Sequence, residues 1–199
     1  MKTLLILGGD SIGRSALKDL KQTNELLVAI DKSTSIKRVT RLILKRRLAL
    51  FIVIKMLFCE FKRPVPRVSF SNFPIIKTNT DLLDIIQNYE PERVVLFRAG
   101  LVINTKVISK GIPLMNIHCA IVPKYGGLGS IHRAIKDRAI SQNATLHQVT
   151  ETIDNGEVFD FEPYELDLNK SYCFNENKAY RAGLRLLSRT IGPLGKDTD

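Results

Sequence analysis

The first 31 residues predict a strand, a helix and a second strand joined by a glycine-rich turn. Lys2–Leu7 is a short apolar run that stops at the turn Gly8–Gly13, and Arg14–Thr23 suits a helix. A second apolar run, Leu26–Ile30, follows at once. Two strands that are joined through a helix pair in parallel, so the amino-terminal part of the chain predicts a parallel α/β sheet.

Further strands and helices extend this pattern. Arg93–Phe97 and Leu114–His118 are compact apolar runs, and Ala144–Val149 pairs back with Glu157–Phe161 across a turn. The helices that we expect beyond the first are Thr80–Tyr89, Asn104–Lys110, Ile131–Ile140 and Ser171–Ser188. The predicted fold class is therefore α/β, a doubly wound and mostly parallel sheet in a single domain over residues 1–199.

The positive charge of the chain is concentrated in one segment. Thirty Lys and Arg against 20 Asp and Glu give a net charge of +10. Residues 32–67 hold 11 of the bases and one acid, Glu60, so the rest of the chain sums to zero. We expect this segment to be a basic helical insertion that ends at Pro64.

A helical wheel separates the apolar residues of this insertion from most of its cations. The apolar stripe consists of Ile36, Val39, Ile43, Leu50, Ile54, Leu57 and Phe61. Three alternatives stay open: the stripe docks on the sheet, residues 35–63 contact an anionic membrane, or the segment contacts RNA or a partner subunit. Nucleic acid is the least favoured of these partners.

The cysteines and the apolar runs bear on the cellular compartment. Cys59, Cys119 and Cys173 are isolated and odd in number, which argues against a disulfide framework and against a zinc site. The longest apolar run, Leu48–Ile54, has seven residues, whereas a membrane-spanning helix needs about 20. We therefore expect a cytoplasmic protein without a metal, with membrane association left open through the basic segment.

Three polar side chains are placed to meet at one end of the predicted sheet. Asn116 and His118 lie on alternate positions of one strand and so face the same side, and Asp154 follows another strand. An imidazole can take up a proton, a carboxylate can orient it, and a carboxamide can donate to an oxyanion. The set suits acyl transfer to an amine, although on spacing alone a hydrogen-bonded structural histidine is the better explanation of Asn-x-His.

Four short motifs, in one order along the chain, resemble the folate-dependent formyltransferase family. They are Asn-x-His at 116–118, Pro-x-Tyr-x-Gly at 123–127, Thr-x-His at 145–147 and Asp-x-Gly at 154–156. The resemblance runs from about Arg93 to Phe161, extends to the first strand and its glycine turn, and excludes the basic segment. Cys119 and Ala120 depart from the commoner residues after the histidine.

The resemblance implies a Rossmann-like formyltransferase fold that moves a formyl group from 10-formyltetrahydrofolate to a primary amine. His118 would act as the base, Asn116 would hold the oxyanion, and Asp154 would position His118 and an ordered water. The backbone around Leu96 to Leu101 and the turn near Asp154 would line the folate pocket, through Leu96, Phe97, Ala99, Gly100, Leu101, Asn155 and Gly156. The residues that would line the entry of the amine are Gly8, Gly9, Asp10, Ser11, Tyr125, Gly126 and Gly127.

The acceptor is predicted to be a small-molecule amine on a nucleotide-activated amino sugar, because the resemblance is nearest to short sugar N-formyltransferases. Glycinamide ribonucleotide is the alternative, although residues 9–13 lack the Gly-Ser-Asn signature of those enzymes. Methionyl-tRNA formyltransferases usually carry a second domain, which we expect to be missing because about 40 residues follow Asp154. A formyltransferase-like binding module without turnover, and a homodimer, also stay open.

Other polar side chains are given structural roles. His147 is expected to be a packed or pocket-lining ring, His132 to face solvent, and Cys119 to be a small structural thiol. The histidines lack metal-ligand spacing. The turn Gly8–Gly13 lacks the G-x-G-x-x-G spacing, so a substrate phosphate at the helix amino terminus is a better prediction there than a dinucleotide.

Overall fold

The computed structural model describes residues 1–20, 23–33, 39–40, 43–44 and 49–192. Within these residues one sheet has seven strands in the order β3-β2-β1-β4-β5-β6-β7, of which β1 to β5 are parallel and β6 and β7 antiparallel. The strands are β1 Thr3–Gly8, β2 Leu26–Asp31, β3 Ile75–Ile76, β4 Arg93–Phe97, β5 Leu114–His118, β6 Ser141–Gln148 and β7 Val158–Glu165. The predicted fold class, a mostly parallel α/β sheet, is confirmed.

The helices flank this sheet, and four of those in the described residues begin at a side-chain cap. They are α1 Ser11–Asp19, α2 Leu50–Lys62, α3 Asn79–Tyr89, α4 Thr105–Ile108, α5 Ser130–Lys136 and α6 Tyr172–Ile191. Helix α1 begins three residues before the predicted start because the Asp10 side chain accepts the Gly13 N–H. Helix α3 is capped by Thr78, which forms a capping box with Asp81, so it begins one residue before the predicted start at Thr80.

Apolar side chains cover both faces of the sheet. Alternate residues of β1 point in opposite directions, so Leu5 and Leu7 join the larger core cluster while Leu4 and Ile6 join the second. The larger cluster includes the buried residues of α6. A Cβ at Gly13 would lie 1.8 Å from the Gly8 carbonyl oxygen, so glycine is required where α1 crosses the end of β1.

Helix α2, the described part of the basic insertion, docks by a different face from the predicted stripe. Its buried residues are Ile52 and Cys59, whereas Leu50, Ile54, Leu57 and Phe61 of the stripe are exposed. The interpretation that this stripe docks on the sheet is therefore wrong for residues 50–62. One residue of the predicted stripe, Ile36, lies outside the described residues. The same is true of the cations at 37, 38, 41 and 45–47.

A disulfide bond holds the docked face of α2. Cys59 and Cys173 are bonded across a sequence separation of 114 residues, which joins α2 to α6. The prediction that these cysteines are unpaired was wrong, because isolated positions in the sequence can still meet in space. Because Cys59 and Cys173 are bonded, the cysteines no longer support the expected cytoplasmic location. His132, expected in solvent, is half-buried and packs edge-on against Phe51 of α2.

Among the described residues, no helix combines the length and the apolar character that crossing a bilayer requires.

Candidate active site

The sheet brings Asn116, His118 and Asp154 together at one edge. Asn116 and His118 occupy the carboxyl-terminal half of β5, and β6 pairs with this strand so that His147 lies opposite Asn116. Asp154 follows β6 in a turn and has a left-handed backbone with φ of 49°. Ligands of open α/β sheets bind beyond the carboxyl ends of the parallel strands, which is where these side chains converge.

The carboxylate of Asp154 is the centre of the cluster. Its Oδ2 lies 3.3 Å from His118 Nδ1 and accepts the Gly127 N–H at 2.6 Å. Its Oδ1 lies 3.3 Å from Asn116 Nδ2 and 3.4 Å from His147 Nε2. The three residues proposed from the sequence are thus in contact, through an aspartate that is largely buried.

The surroundings of Asp154 and His118 lower the pKa of both groups. Burial of Asp154 raises its pKa, but the contacts with His147, with His118 and with the Gly127 N–H outweigh burial and hold the pKa at about 2. Burial lowers the pKa of His118, and the neighbouring Asp154 and the Tyr125 carbonyl offset this only in part. Near neutral pH the cluster therefore contains an ionised carboxylate beside a neutral imidazole that can accept a proton.

His147 belongs to the cluster, which sequence reasoning recognised only as a packed or pocket-lining ring. It is fully buried, and its Nδ1 lies 2.9 Å from the Gln148 carbonyl oxygen. Its Nε2 lies 3.1 Å from Asn116 Nδ2 and 3.4 Å from Asp154 Oδ1. The Thr-x-His pattern opposite Asn-x-His carried this signal, because register-paired residues of neighbouring strands are adjacent.

The carboxamide nitrogen of Asn116 faces two members of the cluster. It lies 3.1 Å from His147 Nε2 and 3.3 Å from Asp154 Oδ1, to which it donates. A carboxamide has two N–H groups, so an oxyanion can be bound only if one of these contacts is exchanged.

The loop after β5 covers the other side of His118. The Tyr125 carbonyl lies 2.9 Å from His118 Nε2. A Cβ at Gly126 would lie 2.9 Å from the Asp154 Cβ, so this position needs glycine for the loop to approach the aspartate. Of the predicted amine-entry residues, Gly126 and Gly127 thus contact the cluster, but the Tyr125 ring does not line an entry because it is buried and bonds to Asp137.

Of the remaining predicted entry residues, Gly8 to Ser11, Asp10 and Ser11 already have partners. Asp10 accepts the Gly13 N–H at 2.9 Å and pairs with Arg98. The Ser11 N–H and hydroxyl both donate to the Glu60 carboxylate, at 2.6 and 2.9 Å. Glu60 therefore occupies the helix amino terminus where a substrate phosphate was predicted, and a phosphate would have to displace it.

The residues predicted to line the folate pocket divide into two groups. The side chains of Leu96 and Phe97 lie in the core, so at these two positions only the backbone can contact a folate, and its part in the pocket stays a prediction. Ala99 and Leu101 are half-buried beside β4, while the Gly100 and Leu101 N–H groups donate to Asp31. Their apolar side chains fit one face of a flat ring, although these two backbone donors are engaged.

The turn at Asp154 supplies the other predicted folate contacts. Asn155 is exposed beside the cluster. Gly156 packs so closely on β6 that a Cβ there would lie 2.1 Å from the Gln148 carbonyl oxygen. Glycine is thus needed at 156 to bring the turn, and with it Asp154, against the strand.

Cys119 is a structural thiol, as predicted. It is buried and free, and burial raises the pKa of its thiol to about 12. A thiol with so high a pKa is not a nucleophile near neutral pH.

Known proteins share this fold and these sequence elements. A methionyl-tRNA formyltransferase of Fervidobacterium nodosum is 27% identical over 137 residues, which are 69% of this chain and 44% of that protein. The chain spans about two fifths of the length of the curated relatives that it matches.

Solved structures agree in fold. A Mycobacterium tuberculosis protein assigned to the sugar N-formyltransferases superposes with a TM-score of 0.65 at 15% identity, over 96% of this chain and 66% of that one. A phosphoribosylglycinamide formyltransferase of Campylobacter jejuni gives 0.61 at 18% identity, over 96% and 95%. At these identities the likeness concerns the fold.

The sequence pattern of the formyl transferase family matches residues 57–179, which is more than half of the chain and includes all three members of the predicted cluster. With the mostly parallel sheet and the motifs already described, this match establishes that the chain belongs to the formyl transferase family.

Proposed function

We propose that this chain transfers a formyl group from 10-formyltetrahydrofolate to a primary amine, and that Asn116, His118 and Asp154 carry the reaction. The observation on which the proposal depends is the contact between a neutral His118 and an ionised Asp154 at the carboxyl edge of the sheet. The family supplies the reaction class, and 10-formyltetrahydrofolate supplies an activated formyl carbon.

In this proposal His118 takes the proton that the attacking amine loses. As the new C–N bond forms and the bond from the formyl carbon to the folate nitrogen breaks, His118 returns that proton to the departing nitrogen. Asp154 stabilises the charged imidazole during the transfer, at 3.3 Å from Nδ1. Asn116 turns one N–H toward the oxyanion, and its longer contact, to Asp154, is the one we propose is exchanged.

Two contacts must be replaced when substrates bind. The Tyr125 carbonyl holds His118 Nε2, and Glu60 holds the Ser11 N–H. The half-buried Ala99 and Leu101 are proposed to hold one face of the pterin, with Asn155 at its edge.

For the acceptor we propose the amino group of a nucleotide-activated amino sugar. Glycinamide ribonucleotide is less favoured because residues 9–13 lack its enzymes' signature and because Glu60 occupies the Ser11 donors. Methionyl-tRNA is the second candidate, since the relatives identified by sequence are methionyl-tRNA formyltransferases.

The test is formyl transfer from 10-formyltetrahydrofolate to three acceptors in parallel: dTDP- and UDP-linked amino sugars, glycinamide ribonucleotide and methionyl-tRNA. We expect formylated amino sugar, and losses of at least about a hundredfold in kcat for His118→Ala and Asp154→Asn. Matched controls are His132→Gln and Asp160→Asn, which change the same residue types away from the cluster. Activity that persists in both cluster variants would refute the site, and product with another acceptor alone would refute the amino sugar.

The other function to be tested is a binding module without turnover. The engaged Ser11 donors and the covered His118 Nε2 favour it. It predicts that calorimetry detects folate binding while none of the three acceptors is formylated.

A further inference from the structure

Helix α2 has the reverse of the usual arrangement of a surface helix. Its inward face carries Ile52 and Cys59 with the charged Glu60, whereas its largest apolar side chains point outward. The outward face consists of Leu50, Phe51, Ile54, Leu57, Phe58 and Phe61. Phe61 is 89% exposed and Leu57 is 64% exposed, which is unusual for side chains of this size.

The outward face cannot turn inward without loss of the contacts that hold the helix. The Cys59–Cys173 disulfide fixes one side. Arg63, directly after the helix, forms a buried ion pair with Glu176, donates to Asn177 at 2.7 Å and pairs with Glu60 at 2.8 Å. Rotation of the helix to bury Phe61 would break the disulfide and this network, so the outward apolar face is a fixed feature of the fold.

Cations border this face. At about 100° per residue, Lys55 and Lys62 fall beside the aromatic edge of the apolar arc. Their ammonium groups lie over the rings of Phe51 and Phe58, at 5.5 and 4.3 Å from the ring centres. Apolar side chains bordered by lysines are typical of helices that lie in the interface of a lipid bilayer.

The positive charge of residues 32–67 favours an anionic partner for the outward face of α2. Residues 32–67 contain 11 bases and only Glu60 as an acid, and Glu60 points inward to Ser11 and Arg63. Two copies of this chain paired through α2 would bring like charges together, which opposes a symmetric dimer. Nucleic acid would gain from the cations but has little use for exposed Leu50, Ile54 and Leu57.

We propose that the outward face of α2, residues 50–62, docks on the surface of an anionic lipid bilayer and lies along it. The apolar side chains enter the boundary between headgroups and acyl chains, and the lysines pair with anionic headgroups. Because Glu60 of α2 contacts Ser11, which follows the carboxyl end of β1, helix α2 lies near the sheet edge that carries the His118 cluster. The proposal depends on the surface alone and not on the acceptor or on turnover.

The test is flotation of the oxidised full chain with two kinds of vesicle, pure phosphatidylcholine and an equal mixture of phosphatidylcholine and phosphatidylglycerol. We expect binding to the mixed vesicles that weakens as salt is raised, and weak binding to the neutral ones. Absence of binding to the mixed vesicles at low salt, or equal binding to both, would overturn the proposal.

Paired variants identify the surface. Phe58→Ser should weaken binding about tenfold or more, while Phe159→Ser on β7 should not, although the two rings are 52% and 51% exposed. Lys62→Gln should weaken binding about fivefold, against no change for the exposed Lys106→Gln. Equal effects within either pair would contradict docking through α2.

Gel filtration and RNA binding measured on the same samples separate the other partners. A dimer that Phe58→Ser converts to monomer, or RNA that competes fully with the vesicles for wild-type protein, would assign the face to a second copy or to nucleic acid and overturn the proposal. Since Phe58 and Lys62 are exposed, unchanged thermal unfolding of these variants will confirm that loss of binding is local.

Discussion

Replacement of Asp154 by Asn tests whether the cluster stabilises an ionised carboxylate. Asp154 has a folded-state pKa of about 2 against an ordinary value of 3.8. A depressed pKa contributes stability that is present above the unfolded pKa and is lost as the pH falls through the folded one. The difference corresponds to about 2 kcal/mol at pH 7, of which about half is lost near pH 3.

Denaturant unfolding of Asp154→Asn and wild type at several pH values measures this contribution. We expect the variant to be less stable by about 2 kcal/mol at pH 7 and at pH 5, with the two proteins converging below pH 4. Asp160→Asn is the matched control: its carboxylate pairs with Arg189 on the surface, so its loss should cost less than about 1 kcal/mol. A gap between Asp154→Asn and wild type that is independent of pH would show that packing, and not ionisation, produces it.

The remaining predictions concern proton transfer, the loop and the disulfide. The acidic limb of the pH profile of kcat/KM should have its midpoint below about pH 6.5, because burial lowers the pKa of His118. If Asp154→Asn retains activity, the midpoint of its profile should lie lower still, since Asp154 raises the pKa of His118. An upward shift would contradict the assignment. Gly126→Ala should lower kcat by displacing Asp154, and a native circular dichroism spectrum is the control that shows the variant to be folded. Joint replacement of Cys59 and Cys173 by Ser should lower the unfolding free energy in urea by up to about 5 kcal/mol, given the separation of 114 residues; equal midpoints would contradict this.

Much of the sheet could be predicted from the sequence because its strands are compact apolar runs. Leu114–His118 was predicted with the bounds that the structure shows, and Arg93–Phe97 likewise. Alternation along β5 was enough to place Asn116 and His118 on one side. The same rule did not place His147 in the cluster, because that requires the register between β5 and β6, which is fixed by pairing across 31 residues.

The first loop shows a different reason for failure. Gly8 to Ser11 was predicted to hold an acceptor phosphate, since a helix amino terminus attracts anions. The helix amino terminus does bind an anionic group, but that group is the carboxylate of Glu60, 49 residues away along the chain. A local motif can predict that an anion binds there, but it cannot identify the anion.

The basic insertion shows why hydrophobic periodicity was insufficient to orient α2. A wheel ranks the faces of a helix by the hydrophobicity of their side chains, and docking of the apolar stripe on the sheet was one of the three alternatives that it left open. The structure instead buries the face that carries Cys59, and it does so through one covalent bond and the Arg63–Glu176 pair. A rotated helix would lose the disulfide and would leave Arg63 or Glu176 buried without its partner, and neither cost is visible in the hydrophobic pattern of the helix. The apolar face is therefore left exposed, and for that reason it is available to a partner that the isolated chain does not contain.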